Sequence, residues 1–208
     1  VACEDADGAV TGNTRRFGES LKKITQVVNA RPGEIMFGLN MVVHKGKTIF
    51  VGDTSVNEYP TSEQLSEIAI SSARVVRLFG FDPKVAFVSH STFGQPRTSR
   101  TKHIREAVEI LQEKKVDFEF DGDMQPDVAL NEEYKSLYPF SKIVGNANIL
   151  IMPGQHSAAI SYKMMKTLGD TKVIGPLLIG LGLPIEIAPL RSSTSEIINL
   201  ASIAAYSA

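Results

Sequence analysis

The stretch "KVAFVSHSTFGQPRTSRTKHIREAVEILQEKKVDFEFDG", residues 84–122, decides the architecture. It opens on "KVAFVS", a short run of the kind a strand buried on both faces requires. A polar loop follows, then "TKHIREAVEILQEK" with the period of an amphipathic helix, then "FEFDG" as another strand. Two short strands joined by a helix of this length make a parallel crossover unit.

The alternation continues in both directions. Downstream, "QPDVALNEEYKSL" starts a helix, "ANILIMP" is a strand and "HSAAISYKMMKTLG" a helix. "TKVIGPLLIG" and "PIEIA" are expected to close the sheet, and "STSEIINLASIAAYS" is the last helix. Its apolar residues, Ile197, Ile198, Leu200, Ala201, Ile203 and Ala204, cover more than one face, which points to a place in the core or at a subunit contact, the core being the first expectation. Upstream, "YPTSEQLSEIAISSARVVRLFG" has Thr61 placed to cap with Gln64 and Gly80 placed to stop the helix. Leu65, Ile68, Ala69, Ala73 and Val76 fall on one of its faces. "IMFGLNMVV" and "TIFVG" flank "HKGK", a hairpin signal centred on Gly46. Residues 12–29 read as a helix burying Leu21, Ile24 and Val28. The fold expected is a three-layer α-β-α sandwich, an α/β protein with a mostly parallel sheet and one antiparallel hairpin. A central unit of about residues 13–188 is followed by a returning segment and terminal helix over 189–208.

Composition narrows the partners. At 208 residues the chain can bury a substantial core, and 43% hydrophobic with 22% charged residues is ordinary for a globular protein. The 22 basic and 23 acidic residues leave a net charge of −1, so nothing draws the chain broadly to nucleic acid or to an anionic membrane. A bound anion must be gripped locally. Cys3 is the only cysteine, which excludes a disulfide framework and a thiolate cage and fits a reducing, cytoplasmic setting. No apolar run has the length of a membrane span. The amino terminus lacks a signal core and an initiator Met and begins in mid-pattern, as a piece of a longer chain would.

In open α/β sheets ligands lie beyond the carboxyl ends of the strands. That makes the strand-to-helix junctions the candidates. "SHSTFGQPRTSR" (89–100) combines hydroxyls, including Ser91 and Thr92, with Gly94, Arg97 and Arg100 ahead of a helix, the parts of a phosphate cradle. No Walker-type lysine motif accompanies them. Asp121, Asp123 and Asp127 in "DGDMQPD" read as a turn and helix cap rather than a metal site, because the spacing departs from a calcium loop. His90 and His156 lie in junction loops, but no zinc pair, nucleophile elbow or dinucleotide fingerprint surrounds them.

Taken together, "DADGAVTGNTRRF", "GDTSVNEYPTSEQLSEIAI", "VSHSTFG", "DGDMQPDVAL", "GNANILIMP", "ISYKMMKTLG" and "IGPLLIGLGLPIEI" resemble, in order and rough spacing, the carboxyl-terminal part of phosphate acetyltransferases. The details look most like the phosphotransacetylase-type domain at the end of hybrid NADP-dependent malic enzymes. The resemblance implies the superfold shared with isocitrate and isopropylmalate dehydrogenases. It also implies acetyl-CoA as ligand, no cofactor in this domain, and NADP with a divalent metal in the malic-enzyme part. Homodimers or larger homo-oligomers are implied as partners, together with malic-enzyme domains of the same chain. Ser91, Thr92, Gly94, Arg97, Asn148, Arg191 and Glu196 are the ligand-binding candidates it supplies.

The departures matter as much. Transferases of this family read close to "DLSRGCSVEDI" near the end, with a Ser-Arg pair at the reacting groups. Aligned without gaps, "IAPLRSSTSEI" puts Pro189 and Leu190 in those two places, keeps a carboxylate at Glu196 and brings Arg191 one residue late. "SHSTFG" stands where such enzymes carry a lysine-containing loop, and "PGQHSAAISYK" where they carry "NSGNIGYK". Removing one donor to a developing oxyanion costs about 100- to 1,000-fold in rate. Binding drawn from remote contacts survives such a loss. The expectation is therefore a regulatory acetyl-CoA-binding domain with no catalytic residue. An active transferase using Arg191 and Glu196 is the alternative.

Overall fold

The computed structural model describes residues 1–208 except 97, 99 and 100, so Arg97 and Arg100 of the predicted cradle lie outside the described residues. Six strands form the main sheet in the order β5-β4-β6-β3-β2-β7. They are β2 (Phe37–His44), β3 (Lys47–Gly52), β4 (Lys84–Val88), β5 (Glu119–Met124), β6 (Ile149–Ile151) and β7 (Thr171–Ile179). β3 pairs parallel with β6, β6 with β4 and β4 with β5. β2 is antiparallel to both β3 and β7, so it alone is reversed. The hairpin that reverses it turns on Lys45 and Gly46, with φ of 48° and 76°. Two successive left-handed residues match the right-handed twist of the flanking strands, and glycine carries the second at no steric cost.

Helices cover both faces. On one, α2 (Ser62–Leu78) and α3 (Lys102–Lys114) bury Leu65, Ile68, Val76, Ile104 and Leu111 against Phe37, Phe50, Phe87 and Ile149 of the sheet. On the other, α4 (Pro126–Leu130) and α6 (Gln155–Leu168) set Val128 and Ala158 against Val42, Val51, Ala86 and Leu150. The two faces and the sheet between them are the three layers expected. The capping box read from sequence forms: Thr61 Oγ1 accepts from the Gln64 N–H, and Gln64 Oε1 accepts from the Thr61 N–H.

Four expectations need correcting. β8 (Ile185–Ala188) does not close the main sheet but pairs parallel with β1 (Ala9–Gly12) in a separate two-stranded sheet. The first helix, α1, spans only Phe17–Ile24, because Gly12 belongs to β1 and β-branched Thr25, Val27 and Val28 end it. Val28 then turns in against Leu178, Leu181 and Ile187. The helix after Pro126 breaks at Asn131, whose extended backbone and side-chain cap start α5 (Glu132–Lys135). The terminal helix α7 (Thr194–Tyr206) buries only Leu200 and Ala204, leaving Ile198 58% exposed, so it lies on the surface of the core.

Candidate functional site

The carboxyl ends of the parallel strands are held open by two buried aspartates. Asp53, just after β3, is 1% exposed. Its Oδ1 accepts from the N–H groups of Gly38, Ser55 and Val56, and its Oδ2 from the backbone and side-chain amides of Asn57. Asp123, on β5, is fully buried, takes the Ser91 hydroxyl on Oδ2 and the Gly94 N–H on Oδ1, and has the Arg105 guanidinium 3.8 Å away. Buried carboxylates persist when each lone pair finds a donor or a charge. These two fix the β3–α2 and β4–α3 loops as the rims of a cleft.

Two cavities open there. One, of about 750 Å³, is lined by Ser89, His90, Thr98 and Thr101 of the β4–α3 loop, by Pro126, and by Met152, Pro153 and Ser157. The other, of about 410 Å³, lies between the start of α1 (Phe17, Gly18), Thr54 and Ser55, one face of α6, Pro176 of β7, and Pro189 with Leu190. The amino end of α6 separates them, contributing Gln155 to one and Ser157 to the other. Its N-cap is Gly154 with no capping side chain, so the first N–H groups of a 14-residue helix are available to an anion.

The predicted site residues divide. Ser91 and Thr92 are buried and committed to protein: Ser91 to Asp123, Thr92 Oγ1 to the Gln125 N–H. With Gly94 they shape the loop from within. Asn148 lies at the amino ends of β4 and β6, away from the cleft, with Oδ1 accepting from Lys84 and Nδ2 donating to the Asp82 carbonyl. Leu190 is 52% exposed and, with Pro189, lines the smaller cavity. Arg191 follows at φ 60°, its N–H held by the Asn13 carbonyl and its side chain exposed. A left-handed arginine is a strained arrangement of the kind that gathers at ligand sites.

Glu196 is engaged elsewhere. Its Oε1 accepts from Lys166 Nζ at 2.7 Å, while Oε2 takes the Ser193 N–H and hydroxyl in the capping box of α7. Those partners, the Lys166 ammonium first, hold its carboxyl below the usual range. An anchored, weakly basic carboxylate is a poor general base.

Sequence reasoning missed the inner face of α6. Gln155, Ala159, Tyr162 and Lys163 all line the smaller cavity. Positions i, i+4 and i+7 of a helix share a face, and "SYK" stands against the "GYK" of the transferase pattern; both signals were there to be read.

A mostly parallel sheet, covered on both faces and with a cleft at the carboxyl edge of its strands, has the ligand-site geometry of open α/β proteins. Residues 1–205 match the phosphate acetyl/butaryl transferase family model, and the chain belongs to that family. It is 45% identical over 208 residues to the NADP-dependent malic enzyme of Rhizobium meliloti, covering all of this chain but 27% of that one. To the phosphate acetyltransferase of Bacillus subtilis it is 31% identical over 98% of this chain and 64% of the relative. A phosphotransacetylase structure from Streptococcus pyogenes superposes with a TM-score of 0.92 at 31% identity, covering the whole chain and 64% of that protein. The chain thus spans about a quarter of its malic-enzyme relatives and under two thirds of the transferases.

Proposed function

We propose that this chain is an acetyl-CoA-binding regulatory domain of an NADP-dependent malic enzyme, working in the cytoplasm and silent as a transferase. The observation that carries the reading is Pro189 and Leu190 lining the cavity where the family's transferases place serine and arginine. Acetyl transfer between CoA and phosphate passes through a charged tetrahedral species, which guanidinium and hydroxyl stabilise and which proline and leucine do not. Glu196, locked between Lys166 and Ser193, supplies no replacement base. The cleft, the uncapped α6 terminus and Lys163 remain as means of holding an anionic thioester. Likeness over the full chain to malic enzymes supports fusion to malic-enzyme domains, the part that would respond to the ligand, and a homo-oligomer would spread that response.

Ligand that binds only the native state raises stability by RT ln(1 + [L]/Kd), about 2.7 kcal/mol at one hundred times Kd. Saturating acetyl-CoA is expected to raise the melting temperature by several degrees. A melting temperature indifferent to acetyl-CoA would leave the domain with a purely structural role.

A further inference from the structure

Beneath the smaller cavity lies a polar group that the fold alone does not account for. Asn40, the β2 residue at the register shift between Leu39 and Met41 in the pairing with β7, is 0% exposed. Neither its Oδ1 nor its Nδ2 has a hydrogen-bond partner among the described residues. Gly175 of β7 presses so close that a Cβ there would meet Asn40 Oδ1 at 2.7 Å, so the amide has little room to turn away. Unpaired buried amides cost about 1–3 kcal/mol each, and a site that retains one has a use for it. Asn40 points to the same side of β2 as Val42, the face that α6 covers, and Tyr162 of α6 packs against that face. Tyr162 is half-buried and lines the cavity beside Thr54, Ser55, Pro176 and Leu190. Burial pushes its phenol up, which keeps it a donor at neutral pH.

We infer that the Tyr162 hydroxyl donates a hydrogen bond to the carbonyl oxygen of a thioester bound in this cavity, with Asn40 as the positioning residue that orients it. The inference rests on the proposed acyl-CoA reading and adds the group that distinguishes acylated from free CoA. The surroundings fit a small acyl group: Phe17, Ala159, Pro176, Pro189 and Leu190 offer apolar contact to its methyl. A phenol can donate to the ground-state carbonyl and to a tetrahedral oxyanion alike, but it does not supply the guanidinium that grips phosphate and neutralises the adduct. It therefore serves recognition in a cleft from which the guanidinium has gone.

The test is the ratio of affinities for acetyl-CoA and CoA, measured by calorimetry on the wild type, Tyr162→Phe and Asn40→Ala, with melting temperatures as a check on folding. Wild type is expected to prefer acetyl-CoA, and Tyr162→Phe to lose about three- to tenfold of that preference while binding CoA unchanged. Asn40→Ala, which keeps the hydroxyl but removes its support, loses part of it. A packing role alone would weaken both ligands equally. An unchanged ratio in a folded Tyr162→Phe, or in Asn40→Ala should the former not fold, overturns the inference and leaves the acyl-CoA reading intact. Wild type binding neither ligand overturns that reading as well.

Discussion

Glu186 is buried, 5% exposed, with one oxygen accepting from the Leu178 N–H at 2.9 Å. It lines a separate cavity of about 360 Å³ with Arg31, Arg74, Phe79 and Tyr206, and Arg74 is already paired with Glu34. Burial pushes the Glu186 carboxyl up from 4.5 to about 8. Below the lower value it is neutral folded or unfolded and costs nothing. Between the two the unfolded chain releases a proton that the native state keeps, so stability falls as pH rises, and above about pH 8 the slope vanishes. The loss across that window is on the order of a few kcal/mol. Urea midpoints of the wild type are expected to fall between pH 5 and 8, and those of Glu186→Gln to lose that component. Equal pH slopes in the two proteins would show that the carboxyl is not desolvated as described.

How single residues behave depends on neighbours that a sequence does not display. Asn148 was a candidate supplied by the resemblance, yet it precedes β6 and so sits at the amino end of that strand, away from the cleft. Ser91 and Thr92 have the right chemistry, but Asp123, 32 residues on, claims the first and Gln125, 33 residues on, the second. Pro189 and Leu190, by contrast, were legible, because an apolar pair in place of a polar one is visible without coordinates.

Secondary elements were read best where local chemistry alone fixes them. The "HKGK" turn and the Thr61–Gln64 box need only their own residues, and both form. Strand periodicity says that "PIEIA" is extended but not which sheet receives it, and β8 goes to β1. The α7 terminus repeats the box with Ser193 and Glu196, adding a pair to Lys166 of α6. Ser193→Ala is expected to cost about 1 kcal/mol in chemical denaturation, the usual worth of an N-cap. A change near zero would mean that Lys166, not the cap, holds the end of α7.

At the scale of the whole molecule, Pro189 and Leu190 stand on the wall of a cavity at the carboxyl edge of the sheet, and the proposed reading rests on that placement. No helix among the described residues is long and apolar enough to cross a membrane. The chain is similar both to malic enzymes and to phosphate acetyltransferases, so the likeness alone does not choose between the two readings. Two sites count as allosterically coupled only when a ligand favours one of two states. A malic-enzyme fusion therefore ought to show malate-dependent NADP reduction that changes with acetyl-CoA.

The most direct measurement mixes the purified protein with acetyl-CoA and inorganic phosphate and follows free thiol, with acetyl-CoA binding recorded on the same sample. The account predicts bound acetyl-CoA and thiol release no faster than in buffer. Phosphate-dependent release at an enzyme's pace, on the order of one turnover per second or more, would contradict it.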